Sequence, residues 1–401
     1  MIKLDDYQLE AIAKLRTGSI LCGGVGSGKS RTALAYYYIC QGGRLDPQSP
    51  MDFHRAKNLY IITTARKRDT MEWEMETLPF GLNRESDEQR NYICNYYVDS
   101  WNNIKKYEKV QDAFFIFDEQ RVVGYGAWAK SFLKITKSND WILLSATPGD
   151  CWSDYIPVFL ANGFYKSKTE FTQEHIIFKP FRNYPIIDRY VNTRKLEYFK
   201  SKILVDMDYK SPAEEIYIDV QVEYNRELYL QVATKKWNPY TNSPILNASD
   251  YCSVLRKIVN GDKSRLNAVL DICGRHNKVI IFYNFDYELE SIRKLLNEHN
   301  IPFSEWNGHK HEALLKEERW VYLVQYTAGS EGWNCTETNV IIFFSQTYSY
   351  KQMIQAAGRI NRRNTKFKLL YLYRLKSQAG IDKAIGYALK HKKDFNARTF
   401  A

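Results

Sequence analysis

Residues 23–30 read Gly-Gly-Val-Gly-Ser-Gly-Lys-Ser and follow directly on the apolar run Ile20-Leu21-Cys22. No other stretch restricts the fold as tightly. The apolar run reads as a short buried strand, and the residues from Gly28 to Cys40 read as a helix. Strand, tight glycine turn and helix, in that order, open a parallel strand–helix–strand unit. The spacing G-x-x-x-x-G-K-[ST] then adds chemistry. The backbone N–H groups of Gly24, Val25, Gly26, Ser27 and Gly28 can turn inward around phosphates. Lys29 reaches the terminal phosphates, and the Ser30 hydroxyl is suited to ligate magnesium. The start of the helix contributes its positive dipole end at the same point. A plain glycine turn would need neither Lys29 nor Ser30.

The remaining chain alternates strand and helix. Strands are expected at 19–22, 58–63, 92–98, 113–117 and 141–145, with helices at 28–40, 65–77 and 127–135. A second set follows, with strands at 277–283, 301–305, 320–325, 339–344 and 368–373. Helices are expected at 263–274, 286–299, 349–361 and 380–393. The pattern predicts an α/β fold of two tandem lobes, each a mostly parallel sheet covered by helices. Residues 1–220 form the first lobe, with the less regular stretch 175–220 as a connector at its end. Residues 221–401 form the second.

Composition narrows the class. Hydrophobic residues make up 44% of the 401 and charged residues 26%, as in soluble globular proteins. No apolar run has the length of a membrane span, and the first residues lack a signal-peptide pattern. The seven cysteines contain no C-x-x-C pair, which speaks against a zinc site or a disulfide framework. A reducing, cytoplasmic setting is expected, in a prokaryotic cell or phage-infected host. A net charge of +11 favours a polyanionic partner, most simply nucleic acid.

Two further motifs lie where ligand chemistry gathers in an open parallel sheet, at the carboxyl ends of strands. The strand 113–117 runs into Asp118-Glu119-Gln120-Arg121. Asp118 is suited to hold magnesium, and Glu119 to polarise an attacking water. The strand 141–144 runs into Ser145-Ala146-Thr147-Pro148. Ser145 and Thr147 can hydrogen-bond the acidic pair and sense the γ-phosphate.

In this order the motifs resemble those of superfamily-two helicases and translocases. The likeness spans Gln8 to Arg362, and it implies RecA-like lobes with ATP in the cleft between them. Leu4-Asp5-Asp6-Tyr7-Gln8 looks like the upstream motif whose glutamine reads adenine. Ile62-Thr63-Thr64-Ala65-Arg66, with Trp73-Glu74 after it, resembles a segment that contacts the nucleic-acid backbone. Val98-Asp99-Ser100-Trp101 resembles another. The resemblance thus implies nucleic-acid contacts by Thr64, Arg66, Ser100 and Trp101.

In the second half, Gln355-Ala-Ala-Gly-Arg359-Ile-Asn-Arg362-Arg363 is similar to the family's Q-x-x-G-R-x-x-R motif. On a continuous helix Gln355, Arg359 and Arg362 would share one face. Gln355 would meet ATP, and Arg359 and Arg362 would stabilise transition-state charge. The segment 325–334 resembles the motif linking nucleic acid to ATP, with Thr327 and Gly329 toward the polynucleotide and Gly332 toward ATP. Gly-Ser-Glu-Gly-Trp-Asn at 329–334, and Leu255–Asn260 followed by Lys263, lean toward the Swi/Snf-like or phage and restriction-type branch. Asp-Glu-Gln-Arg replaces the commoner Asp-Glu-Ala-His, and Asn361 stands where histidine is frequent.

The resulting expectation is a DNA helicase or translocase driven by ATP and magnesium, of compact phage or prokaryotic type, working in replication, recombination or repair. Its partner would be single-stranded, duplex or forked DNA, with RNA less favoured, a nuclease or replication partner possible, and no membrane. The alternatives are an ATP-gated DNA-binding subunit of a nuclease and an RNA helicase. A small-molecule kinase would not need the second lobe.

Overall fold

A sheet in which every strand runs the same way places all its carboxyl ends along one edge. The chain builds two such sheets, one in each of two units, Met1–Lys210 and Ser211–Ala401. The computed structural model describes residues 2–45, 56–82, 96–119, 122, 125–146, 148–149, 151–180, 185–211, 213–329 and 335–401.

Among these residues the first unit contains a six-stranded sheet. Its order is Tyr96–Ser100, Leu59–Thr63, Phe114–Phe117, Asp140–Ser145, Ile20–Cys22, Leu204–Asp206. All its pairings are parallel. Its inner strands read as mostly apolar runs because both faces are covered. Phe114 and Ile116 enter one core, with Leu34 and Tyr37 of the helix Lys29–Cys40. Phe115 and Phe117 enter the other, with Phe132 of the helix Ala127–Ile135.

The second unit repeats the plan. The order is Phe303–Trp306, Trp320–Gln325, Lys278–Tyr283, Val340–Phe343, Leu369–Lys376, Glu214–Gln221, again parallel throughout. Ile280 and Phe282 serve one core and Val279, Ile281 and Tyr283 the other. Each large apolar side chain so buried contributes roughly 1.5–3 kcal/mol. Among the described residues no helix is long and apolar enough to cross a membrane.

Three expected elements change. The strand expected at 92–98 lies at Tyr96–Ser100, while 83–95 fall outside the described residues. The helix expected over 65–77 is two helices, Ala65–Asp69 and Glu72–Thr77. Met71 between them has φ 55°, a left-handed conformation that stops helical hydrogen bonding. The helix expected over 349–361 stops at Ala357, capped by Gly358.

The stretch 175–220 is also more regular than a connector. It holds the antiparallel pair Ile176–Phe178 and Ile187–Tyr190 and the helix Thr193–Ile203. It then supplies an edge strand to each sheet. The expected boundary at 220 falls inside Glu214–Gln221, a strand paired to Leu369–Lys376 in the second sheet. The units therefore divide between Lys210 and Ser211.

Candidate nucleotide site

The phosphate loop leaves the strand Ile20–Cys22 at the carboxyl edge of the first sheet. Gly26 and Gly28 have φ 81° and 78°. These are left-handed conformations that cost a side-chain-bearing residue about 1–2 kcal/mol. A Cβ on Gly28 would also sit 2.6 Å from Nε2 of Gln8. The loop is held from below. Gln8 donates to the Gly28 carbonyl at 3.4 Å and to Thr32 Oγ1 at 3.1 Å, and it accepts from the Asp5 N–H. Tyr7, which the motif reading passed over, donates its hydroxyl to the Ser27 carbonyl at 3.0 Å. Gln8 is thus placed against the loop.

Lys29 folds back on its own loop and donates to the carbonyls of Gly23 and Gly24 at 2.6 and 2.9 Å. Burial lowers its pKa to about 8, with Glu119 and Asp118 pulling upward and the positive Lys67 adding to the fall. Gly23 N–H donates to the Ser145 carbonyl, so the start of the loop is stitched to the end of the neighbouring strand. Ser145 is buried there, and Thr147 lies outside the described residues. Cys22 is a strand residue whose thiol burial and Asp206 push up to about 12, which suits packing and not redox chemistry.

Asp118 and Glu119 leave the same edge after Phe114–Phe117. Asp118 is buried, and its Oδ2 gathers three donors: Thr63 Oγ1 at 2.8 Å, Lys67 Nζ at 2.9 Å and Trp73 Nε1 at 3.1 Å. Lys67 also donates to Glu119 Oε1 at 3.4 Å. Burial works against the charge on Lys67, but the two carboxylates outweigh it and raise its pKa above the usual lysine value. Glu119 has φ 59°, a left-handed backbone carrying a full side chain. The break at Met71 now has a reason: it turns Trp73 inward, where the ring is buried and its N–H reaches Asp118.

The donor set fits a divalent cation. Two carboxylates share one point of positive charge, supplied here by an ammonium, and oxygen ligands of this kind suit magnesium. Asp118 and Ser30 would hold the ion, with Glu119 beside it.

The expected nucleic-acid contacts divide. Trp101 is buried, donates to the Asp118 carbonyl at 2.9 Å and stacks on Phe117. The indole supports the turn that carries the carboxylates. Ser100 and Thr64 are also buried. Thr64 caps the helix Ala65–Asp69 by accepting from the Lys67 N–H. Arg66 is half-exposed on that helix, and Thr327 is exposed on Tyr326–Gly329 in the second unit. Gly329 ends that short helix, and Gly332 lies outside the described residues.

In the second unit Gln355 is buried on the helix Tyr350–Ala357. Arg359 and Arg362 follow the end of that helix, so the single helical face expected for the three is corrected. Arg359 is buried, while Arg362 is half-exposed. Asn361 between them bonds Ser211 and donates to Glu215 at 2.7 Å, tying the segment to the first strand of its own unit.

Sequence reasoning missed Lys67, Thr63 and Tyr7 as parts of the site. Lys67 meets Asp118 across 51 residues, and no local spacing reports such a pair.

Residues 264–364 match the helicase conserved C-terminal domain. That span includes the segments 325–334 and 355–363 on which the motif resemblance in the second half rests. Among solved structures the chain is similar to the Sulfolobus solfataricus SWI2/SNF2 ATPase core in complex with double-stranded DNA. The identity is 17% and the TM-score 0.42, over 97% of this chain and 91% of that one. No curated protein sequence matches the chain.

Proposed function

We propose that the chain is a nucleic-acid-dependent ATPase acting as a DNA helicase or translocase in replication, recombination or repair. The observation that carries this reading is the meeting of the phosphate loop and the Asp118–Glu119 pair at one sheet edge, in a chain whose second unit matches a helicase domain. The loop amides and Lys29 bind the triphosphate. Glu119 takes up the proton of the water that attacks the γ-phosphorus. Magnesium, when bound, would neutralise charge on the β and γ oxygens. Arg362, exposed enough to meet a ligand, together with Arg359 stabilises the charge that develops on the transferred group. Alternating grip on a sugar–phosphate backbone converts each cycle into movement. That grip is largely indifferent to sequence and weakens with salt.

The test is ATP hydrolysis measured without nucleic acid and with single-stranded, duplex and forked DNA and RNA, beside Lys29→Ala and Arg362→Ala. The expected outcome is a DNA-stimulated rate abolished by Lys29→Ala. Arg362→Ala should retain ATP binding and lose about 10³-fold in turnover. Absence of a Lys29-dependent rate with every polynucleotide would refute the motor. Stimulation by RNA alone would reassign its track.

A further inference from the structure

The carboxylates that would hold magnesium already hold a cation. Lys67 Nζ lies 2.9 Å from Asp118 and 3.4 Å from Glu119. Asp118 Oδ2 has three donors, so an ion ligated by that oxygen must displace one of them, and an ion on Oδ1 of the same carboxylate would still face the Lys67 ammonium. Two cannot leave cheaply. Thr63 is fully buried in the strand Leu59–Thr63, and Trp73 is packed in the core. Lys67 can leave. Its stem is long and flexible, and its side chain is 20% exposed against 4% for Asp118.

The same lysine sits in Arg66-Lys67-Arg68, on a turn capped by Thr64. Arg68 extends from that turn to Asp99 at 3.3 Å and Ser100 at 3.5 Å. Lys67 is thus the inward member of a basic triplet whose neighbours are half-exposed. A phosphate backbone lying on this turn would offer Lys67 an alternative anion at little cost, because phosphate and carboxylate compete for the same ammonium.

We propose that Lys67 is a tethered cation that competes with magnesium for Asp118 and Glu119, and that a nucleic-acid backbone on the Thr64–Arg68 turn draws it away. Polynucleotide would then admit the metal–nucleotide complex by removing a competitor from the acidic pair. The two ligands are coupled within the first unit, through one side chain. The assignment rests on the ATPase reading above. It makes Lys67 a positioning residue, acting through the carboxylates and not on the phosphates.

The experiment compares wild type, Lys67→Gln and Lys67→Arg. Manganese–ADP binding is followed by electron paramagnetic resonance of the manganese. Metal-free ADP binding is followed by calorimetry, which also reports a folded site. Lys67→Gln is expected to bind manganese–ADP about tenfold more tightly than wild type, within the usual range of coupling between two ligands. Metal-free ADP should change by less than about twofold. Lys67→Arg, which keeps the charge, should stay near wild type. Duplex DNA should tighten manganese–ADP binding to wild type and leave Lys67→Gln unmoved.

Equal or weaker manganese–ADP binding by Lys67→Gln, with ADP binding intact, would overturn the competition and leave the ATPase reading standing. Equal tightening of both proteins by DNA would overturn the release by nucleic acid. Failure of all three proteins to bind ADP would remove both readings together.

Discussion

The two sheets share an architecture, and each buries an ion pair near its carboxyl edge, but the pairs differ in kind. In the second unit Arg265 is fully buried. It donates to Asp382 at 2.6 Å and to the carbonyls of Phe344, Leu375 and Val259 at 2.6, 3.1 and 3.2 Å. Asp382 accepts in addition from the N–H and hydroxyl of Ser377. Nearby, Glu288 accepts from Asn260, Asn284 and Ser345. These groups close the ends of strands, and their partners are backbone groups and packed side chains. In the first unit Lys67 reaches its carboxylates from a surface turn, and Glu119 is 26% exposed. One pair cross-links a fold; the other can be exchanged. A buried charge is structural when every donor and acceptor around it is fixed, and available for chemistry when one member can withdraw.

The sharpest break of this contrast is Arg265→Leu. It strands Asp382 and two strand-end carbonyls, and should cost about 3–5 kcal/mol of stability. Urea unfolding followed by circular dichroism would measure it, with ADP binding by the first unit retained. A loss below 1 kcal/mol would show that the two pairs are alike. Next comes Gly28→Ala, which asks whether backbone is as fixed at the first edge as charge is at the second. The left-handed φ and the approach of Gln8 set the expected penalty at about 2 kcal/mol, with weaker ATP binding. Wild-type affinity in a titration with a fluorescent ATP analogue would mean that the loop has slack. The smallest effect is expected for Thr63→Val, which removes one of three donors to Asp118. About 1 kcal/mol of stability should go. Manganese–ADP affinity should hardly move, because Thr63 is a neutral donor and competes with no cation. A change as large as that of Lys67→Gln would erase the distinction drawn between the fixed and the mobile partners.

The sequence carried most of the scaffold and half of the site. The strands at 20–22, 59–63, 114–117, 278–283 and 320–325 were legible because both faces are covered and their residues are continuously apolar. The strand Glu214–Gln221 was not. It is a sheet edge with alternating half-buried and exposed residues and a charged start, which reads as a linker. The helix Tyr350–Ala357 was extended too far because the Arg359 and Arg362 spacing suits a helix, while Gly358 and the bonds of Asn361 end it. Gly23–Ser30 and Asp118–Glu119 were legible as contiguous motifs. The ammonium on that acidic pair was not. It depends on the strand Leu59–Thr63 lying beside Phe114–Phe117, which topology decides and local pattern does not. The place of Trp101 depends on topology too: an aromatic in a motif-like segment is a buried support under the turn.

The positive φ of Glu119 has a consequence of its own. A glycine would adopt that conformation without strain, so the backbone there favours a residue that could do no acid–base work. Keeping a carboxylate at the turn holds on the order of 1 kcal/mol of conformational energy in the folded state. The position is therefore one where a stabilising substitution and a functional one point in opposite directions. Selection for thermal robustness alone would be expected to favour glycine at this position.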